Sequence, residues 1–386
     1  MPAHPYFKNL DGLRFIAAFF VILHHTDEGL VILRHATEHS FHFPLVFGPL
    51  AVRFFFVLSG FLITYLLFAE QQRTQTINVK AFYMRRILRI WPLYYLIVIL
   101  ALFILPHIGF FNIPPYLETL QHSYLLKILL LVFFIPNVLY SMYPQYSLPH
   151  ADQLWSIGVE EQFYLIWPLL IKKTKNYPAV FLTIIIAFGI LTNNLVLGVL
   201  DVLVNMRLIN IGSAFWQTGL AINNFFSGWA NFQIDSMAVG ALGAYLVFFK
   251  QSAVLNLLYN KLITRSVFVI FLLTIALLHH YHIYLLFSII FIIFILNMAL
   301  NPANKFNVEY PWLKYLGKIS YSIYMLHPIA ITIAVKMVYA LPFQLPAKPL
   351  QMLVYPVAVM LSIALATLSY YLLERAFLKM KNKFAI

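Results

Sequence analysis

Arg14 and His25 are the two residues of this 386-residue chain whose types and spacing point most directly to chemistry. Eleven residues separate them, which in a helix is about 20° past three full turns and about 16 Å of rise, so they share one face. An imidazole titrating near about pH 6.5 can act as general base for a hydroxyl, or carry an acyl group itself. Arg14 adds a permanent cation to the same face, Asp11 lies one turn before it, and His24 points about 100° away. A second group, Arg85, Arg86 and Arg89, opens a helix with i, i+3 and i, i+4 spacing. Guanidiniums pair bidentately with phosphate, so three of them at a membrane mouth could clamp a polyphosphate, although they would equally serve as anchors on the cytoplasmic side. Glu160 and Glu161 are adjacent carboxylates at the outer start of an apolar helix, and one of them is expected to touch the reacting groups or Arg53.

Other polar residues interrupt apolar segments more sparsely. Ser59 and Gly60 lie in mid-helix after Arg53; no nucleophile elbow surrounds the serine, so close helix packing competes with a substrate-binding role. Asp235 enters another apolar helix with Gly240 and Gly243 behind it. Tyr324 and His327 lie in a later one. His327 falls about two turns from the cytoplasmic end and is therefore expected at a different depth from His25. It is read as a structural or donor-side residue. His35, His39 and His42, and the cluster His279, His280 and His282, have few carboxylates near them, and no metal is expected.

The elements that position these residues must be membrane helices. Hydrophobic residues make up 62% of the chain and charged residues only 10%, too few to cover a water-facing surface. The net charge of +13 forms no basic tail or stripe, which argues against a nucleic-acid partner and for membrane topology. With no cysteine, thiolate catalysis, Cys-zinc sites, iron–sulfur clusters and disulfides are excluded. Ten segments are apolar enough to span a bilayer: 12–33, 50–69, 87–106, 155–171, 178–199, 232–249, 266–281, 283–300, 319–340 and 351–373. A shorter run at 125–136, broken by Pro136, fits a re-entrant or interfacial piece. With both termini in the cytoplasm, 20 of the 26 Lys and Arg residues fall on the inner side. The expectation is an all-α, polytopic bundle of about ten transmembrane helices forming a single domain over 1–386, with no appended soluble domain.

Several stretches, in order, resemble the acyltransferase-3 family of bacterial membrane-bound acyltransferases. They are Leu10-Asp11-Gly12-Leu13-Arg14 running to His25, Phe56-Val57-Leu58-Ser59-Gly60-Phe61, and Arg85-Arg86 with Arg89. Val159-Glu160-Glu161-Gln162-Phe163-Tyr164, Leu316-Gly317 through Ser320-Tyr321 to Tyr324 and His327-Pro328, and Glu374-Arg375 with Phe377-Leu378 complete the series. The resemblance implies acyl transfer, often of acetyl, from cytoplasmic acyl-CoA to a hydroxyl of an extracytoplasmic saccharide, by a multi-pass protein of the inner membrane. It makes His25 the catalytic histidine, Arg14 its motif partner, and Arg85, Arg86 and Arg89 the motif at the donor end. Apart from the resemblance, Ser59 is expected among the donor-binding residues, and Glu160 or Glu161 could orient the imidazole. One departure stands out: Gln233 replaces the family arginine two residues before Asp235, which puts that local ion pair in doubt. The rival reading is a transporter or flippase of a polysaccharide precursor, with the same charges lining its path; no inverted repeat supports it. The acceptor glycan and the oligomeric state are not legible in the sequence.

Overall fold

The computed structural model describes residues 6–33, 42–113, 124–142, 148–192, 208, 210, 213–218, 233–278, 284–342 and 346–384. All regular structure among them is helical. The principal helices are α1 (Leu10–Ile32), α2 (His42–Thr74), α3 (Val79–Ile99), α4 (Tyr124–Val132), α5 (Pro136–Met142), α6 (Leu154–Lys173), α7 (Tyr177–Thr192) and α8 (Ile234–Phe248). They continue with α9 (Ser252–Leu258), α10 (Lys261–Leu278), α11 (Tyr284–Leu300), α12 (Pro311–Lys318), α13 (Ser320–Tyr339), α14 (Ala347–Ser369) and α15 (Arg375–Lys381). Over their described residues the ten apolar segments read from the sequence are helical, apart from the end positions 33, 233, 249, 319 and 340. Five stretches are long and apolar enough to cross a membrane, namely Leu10–Ile32, Phe47–Thr74, Val79–His107, Ser320–Tyr339 and Ala347–Lys381. A sixth arises if α8 and α9, bent by 117° at their junction, count as one broken span. Prolines sit inside several of these helices, at Pro49, Pro92, Pro328 and Pro356. Membrane helices tolerate that because neighbouring groups re-satisfy the freed carbonyl. The run at 125–136 divides as its proline dictates: α4 ends before Phe133, and Pro136 opens α5, where a missing N–H costs nothing.

The chain forms two compact units. The first comprises Met1–Val52, Asn78–Gly158 and Lys305–Ile386, the second Arg53–Ile77 and Val159–Asn304. In the first, α13 packs against α14 and α1, and α15 against α3. Its interior contains Val21, Ile22, Ile323, Met325, Ala330 and Ala334, all fully buried. In the second, α8 packs on α7 and α11. There Trp167 stacks between Phe163 at 4.3 Å and Phe181 at 5.3 Å. Its indole N–H donates to the Thr64 hydroxyl at 2.8 Å, so the polar edge of the ring is satisfied inside an apolar core.

Candidate active site

Two close approaches set the geometry around α1. A Cβ on Gly317 would lie 2.0 Å from the Asp11 carbonyl oxygen, and one on Gly29 would lie 2.7 Å from the Ile331 side chain. Only glycine admits the neighbouring helix this closely. The pairs Asp11/Gly317 and Gly29/Ile331 put α1 and the α12–α13 segment alongside each other in the same direction. Between them, His25 Nδ1 and His327 Nε2 meet at 2.9 Å, with the rings stacked at 4.8 Å. The expected difference in depth is therefore wrong. His327 is only seven residues into α13, but α12 precedes it after a single intervening residue, so depth counted from Pro311 nearly matches that of His25 counted from Leu10.

The hydrogen-bond order fixes the tautomers. His327 is fully buried, and its Nδ1 faces the Tyr324 carbonyl at 2.5 Å. A carbonyl only accepts, so Nδ1 carries the proton and Nε2 of the neutral ring is an acceptor. His25 must then donate from Nδ1, which leaves the Nε2 lone pair available. The His25 side chain is 32% exposed, so that lone pair is within reach of a reactant. Its Nε2 stands 3.8 Å from Glu28 Oε2, and His24 Nε2 stands 3.3 Å from Glu28 Oε1. Tyr324 contributes its carbonyl to this chain, while its hydroxyl is shared with Ser156 at 2.7 Å. Glu28 was not among the residues singled out in the sequence; its i+3 and i+4 spacing from the two histidines was the available signal.

A cationic cluster occupies the start of α1. Arg14 pairs with Asp11 at 2.8 Å within the first turns. Arg14, Arg85, Arg86 and Arg89 all lie within Coulomb range of the Lys381 ammonium. Arg85 also donates to the Phe384 carbonyl at 2.9 Å. Glu374, which interacts with Arg89, accepts from Ser322 at 2.7 Å and from Ser369 at 2.9 Å in a π-helical turn, Tyr370–Glu374. Lys381 is the member of this cluster that sequence reasoning missed, because a lysine in a terminal helix reads as topology alone.

In the second unit Arg53 is 2% exposed. Its guanidinium donates to Ser236 at 2.7 Å, lies 3.5 Å from the Asp235 carboxylate and sits over the Tyr284 ring at 4.6 Å. Asp235 thus takes its cation from Arg53 of α2, where Gln233 cannot supply a local one. A Cβ on Gly60 would lie 2.0 Å from the Met237 carbonyl oxygen, and one on Gly240 would lie 2.0 Å from that of Val57, so α2 and α8 interlock through reciprocal glycines. Ser59 meets the Tyr164 hydroxyl at 2.6 Å, and Tyr164 donates to Glu160 at 3.1 Å. Glu161 follows, half-buried. Histidines 35, 39, 279, 280 and 282, and the side chain of His42, lie outside the described residues, as do parts of the 107–154 and 200–231 loops expected to meet the acceptor.

The family model described as an acyltransferase domain matches residues 7–371. The peptidoglycan O-acetyltransferase OatA of Listeria monocytogenes is 32% identical over 195 residues, 48% of this chain and 28% of that protein. The O-acetyltransferase OatA of Staphylococcus aureus is 31% identical over 199 residues, 48% of this chain and 29% of its own length. A further Staphylococcus aureus relative with an O-acetyltransferase name is 26% identical over 395 aligned residues, covering 97% of this chain and 58% of its own. The chain spans less than two thirds of the length of these relatives. No solved structure matches.

Proposed function

Because the chain belongs to the acyltransferase-3 family, whose model covers residues 7–371, we propose that it transfers an acyl group, acetyl in the first instance, from cytoplasmic acyl-CoA to a saccharide hydroxyl beyond the membrane. The names of its relatives place O-acetyl transfer, and in one case peptidoglycan, among their activities. The acceptor would accordingly be a cell-envelope glycan. The chain would cross the inner membrane about ten times with both termini in the cytoplasm.

One observation carries the reading: the 2.9 Å contact that ties His25 Nδ1 to His327 and leaves Nε2 as a base. In the transfer step Nε2 takes the proton of the acceptor hydroxyl as its oxygen bonds to the thioester carbonyl carbon. The C–S bond then breaks, and the imidazolium returns the proton to the departing thiolate. His327 is a positioning residue. It holds the tautomer of His25 and shares the imidazolium proton's electrostatic cost through the Tyr324 carbonyl. The donor's phosphates would be held by Arg85, Arg86 and Arg89, joined by Arg14 and Lys381, because guanidinium forks suit phosphate and five cations crowded together favour a polyanion between them. Arg14 lies about 16 Å along α1 from His25, so it belongs to the phosphate end of the donor rather than to the carbonyl undergoing attack.

Purified full-length protein supplied with radiolabelled acetyl-CoA and a glycan fragment should acetylate the fragment, and His25→Ala should lower the rate by about 10²–10⁴-fold while the melting temperature holds. Wild-type turnover retained by His25→Ala would remove the histidine from the chemistry. A wild-type protein that moves glycan across vesicles without acetylating it would establish the transporter instead.

A further inference from the structure

Around the same imidazole, we propose that His24, His25 and Glu28 form a binding site for one divalent transition-metal ion of the zinc type, and that the bound ion switches transfer off by taking the Nε2 lone pair of His25. The binding half stands on the geometry alone. The inhibition half rests on the base role of His25 given above.

The three residues are arranged as ligands must be. One donor atom from each, the two imidazole nitrogens and a carboxylate oxygen, lie within 4.8 Å of one another. Tetrahedral zinc, with bonds of about 2.0–2.2 Å to nitrogen and oxygen, separates its ligand atoms by about 3.3–3.5 Å. The two rings face different oxygens of the one carboxylate: His24 Nε2 lies 3.3 Å from Glu28 Oε1, already of that size, and His25 Nε2 lies 3.8 Å from Oε2, a few tenths of an ångström beyond it. The Glu28 side chain is 40% exposed, so its carboxylate has room to close that difference. Helical spacing explains why one carboxylate serves both rings: Glu28 is four residues beyond His24 and three beyond His25, the two positions that share its face.

The outer partners also fit. A ligating histidine needs its second nitrogen donated to a fixed acceptor, and His25 Nδ1 has one in His327 Nε2 at 2.9 Å, itself held by the Tyr324 carbonyl. This arrangement exposes Nε2 rather than Nδ1, and it is Nε2 that faces Glu28. Two imidazoles and one carboxylate select a zinc-type ion over magnesium or calcium, which prefer all-oxygen shells. They also leave a fourth position for water. One alternative explains the Glu28 contacts without a metal, as ion pairs to protonated histidines, and the test separates the two.

Full-length protein in detergent, stripped with a chelator, would be titrated with Co²⁺ and followed by the visible absorption of a low-coordinate cobalt centre; Zn²⁺ would then be added to displace it. The expected result is one Co²⁺ per chain, with affinity lowered more than about tenfold in both His24→Gln and Glu28→Gln. Transfer by the wild type should fall with Zn²⁺ and return with chelator, whereas His24→Gln should keep its transfer at Zn²⁺ concentrations that stop the wild type. Absence of a cobalt spectrum, or wild-type cobalt affinity retained by either His24→Gln or Glu28→Gln, overturns the site. Cobalt binding without zinc inhibition overturns the switch and, with it, the base role of His25, while the site itself stands. Should no metal-free preparation transfer acetyl, the proposed function fails and the cobalt titration still decides the site.

Discussion

Two ionic clusters stand on apolar helices in this protein, and they differ in what they leave over. Around Arg53 the cation meets an acceptor or a ring on each described side: Ser236 at 2.7 Å, Asp235 at 3.5 Å and Tyr284 at 4.6 Å, with Arg53 2% exposed and Asp235 fully buried. Around His25 the chain of donors runs one way, from His25 to His327 to the Tyr324 carbonyl, and ends with a nitrogen lone pair on a side chain one third exposed. A charge at membrane depth is costly in either place. The first cluster answers the cost with mutual satisfaction and holds helices together. The second retains an unspent acceptor at an accessible atom, and that distinction, rather than the presence of charge, separates a structural cluster from a reactive one.

The largest effect should come from breaking the satisfied cluster. Arg53→Met leaves Asp235 buried without its cation, a change that typically costs about 3–5 kcal/mol. It should appear as a fall in melting temperature and in yield from the membrane, whereas Arg53→Met combined with Asp235→Asn should recover most of the loss. If the single variant melts like the wild type and only transfer is lost, the Arg53 cluster belongs to the reaction and the contrast fails.

At His327 the expected effect moves from stability to rate. His327→Leu removes the acceptor of the His25 Nδ1 proton, so the base loses its fixed tautomer and turnover should drop about 10²-fold. His327→Gln, whose side-chain oxygen can accept that proton, should recover part of it. The donor KM should hold in both, because the cationic cluster lies about 16 Å away along α1. An equal loss in both variants, accompanied by a lower melting temperature, would make His327 a packing residue only.

Most of the helices were legible in the sequence because lipid-facing segments are apolar on every side and need no periodicity to be recognised. The face shared by Arg14 and His25 followed from helix geometry. The partner of His25 did not: periodicity places a residue within its own helix, while the depth of His327 depended on how α12 precedes α13 and on the missing side chain of Gly317. Arg53 and Asp235 show the same limit, since they stand far apart in the chain and nothing local pairs them. Lys381 escaped notice for a related reason: a cluster drawn from α1, α3 and α15 has no spacing in the sequence.

A third ionic cluster, outside the membrane, calibrates the other two with the smallest effect. Glu309 accepts from Tyr6, from the backbone N–H of Asn9 and, at 2.8 Å, from Lys314, which latches the loop before α12 to the start of α1. Burial alone would raise its carboxyl, but the bonds from Lys314, Tyr6 and Asn9 outweigh that and hold it below the ordinary carboxylate value. A group depressed on folding adds stability at pH above its unfolded value, and that contribution is lost as the pH falls through the folded one. Melting temperature should therefore decline from the ordinary carboxylate range downward, more steeply in the wild type than in Glu309→Gln, which has no proton to bind. Glu309→Gln should cost only a few degrees at neutral pH, because the site is water-exposed and screened, and salt should shrink the cost further. A loss as large as that of Arg53→Met would mean that exposure does not grade these clusters, and the distinction between satisfied and accessible charge would have to be drawn on other grounds.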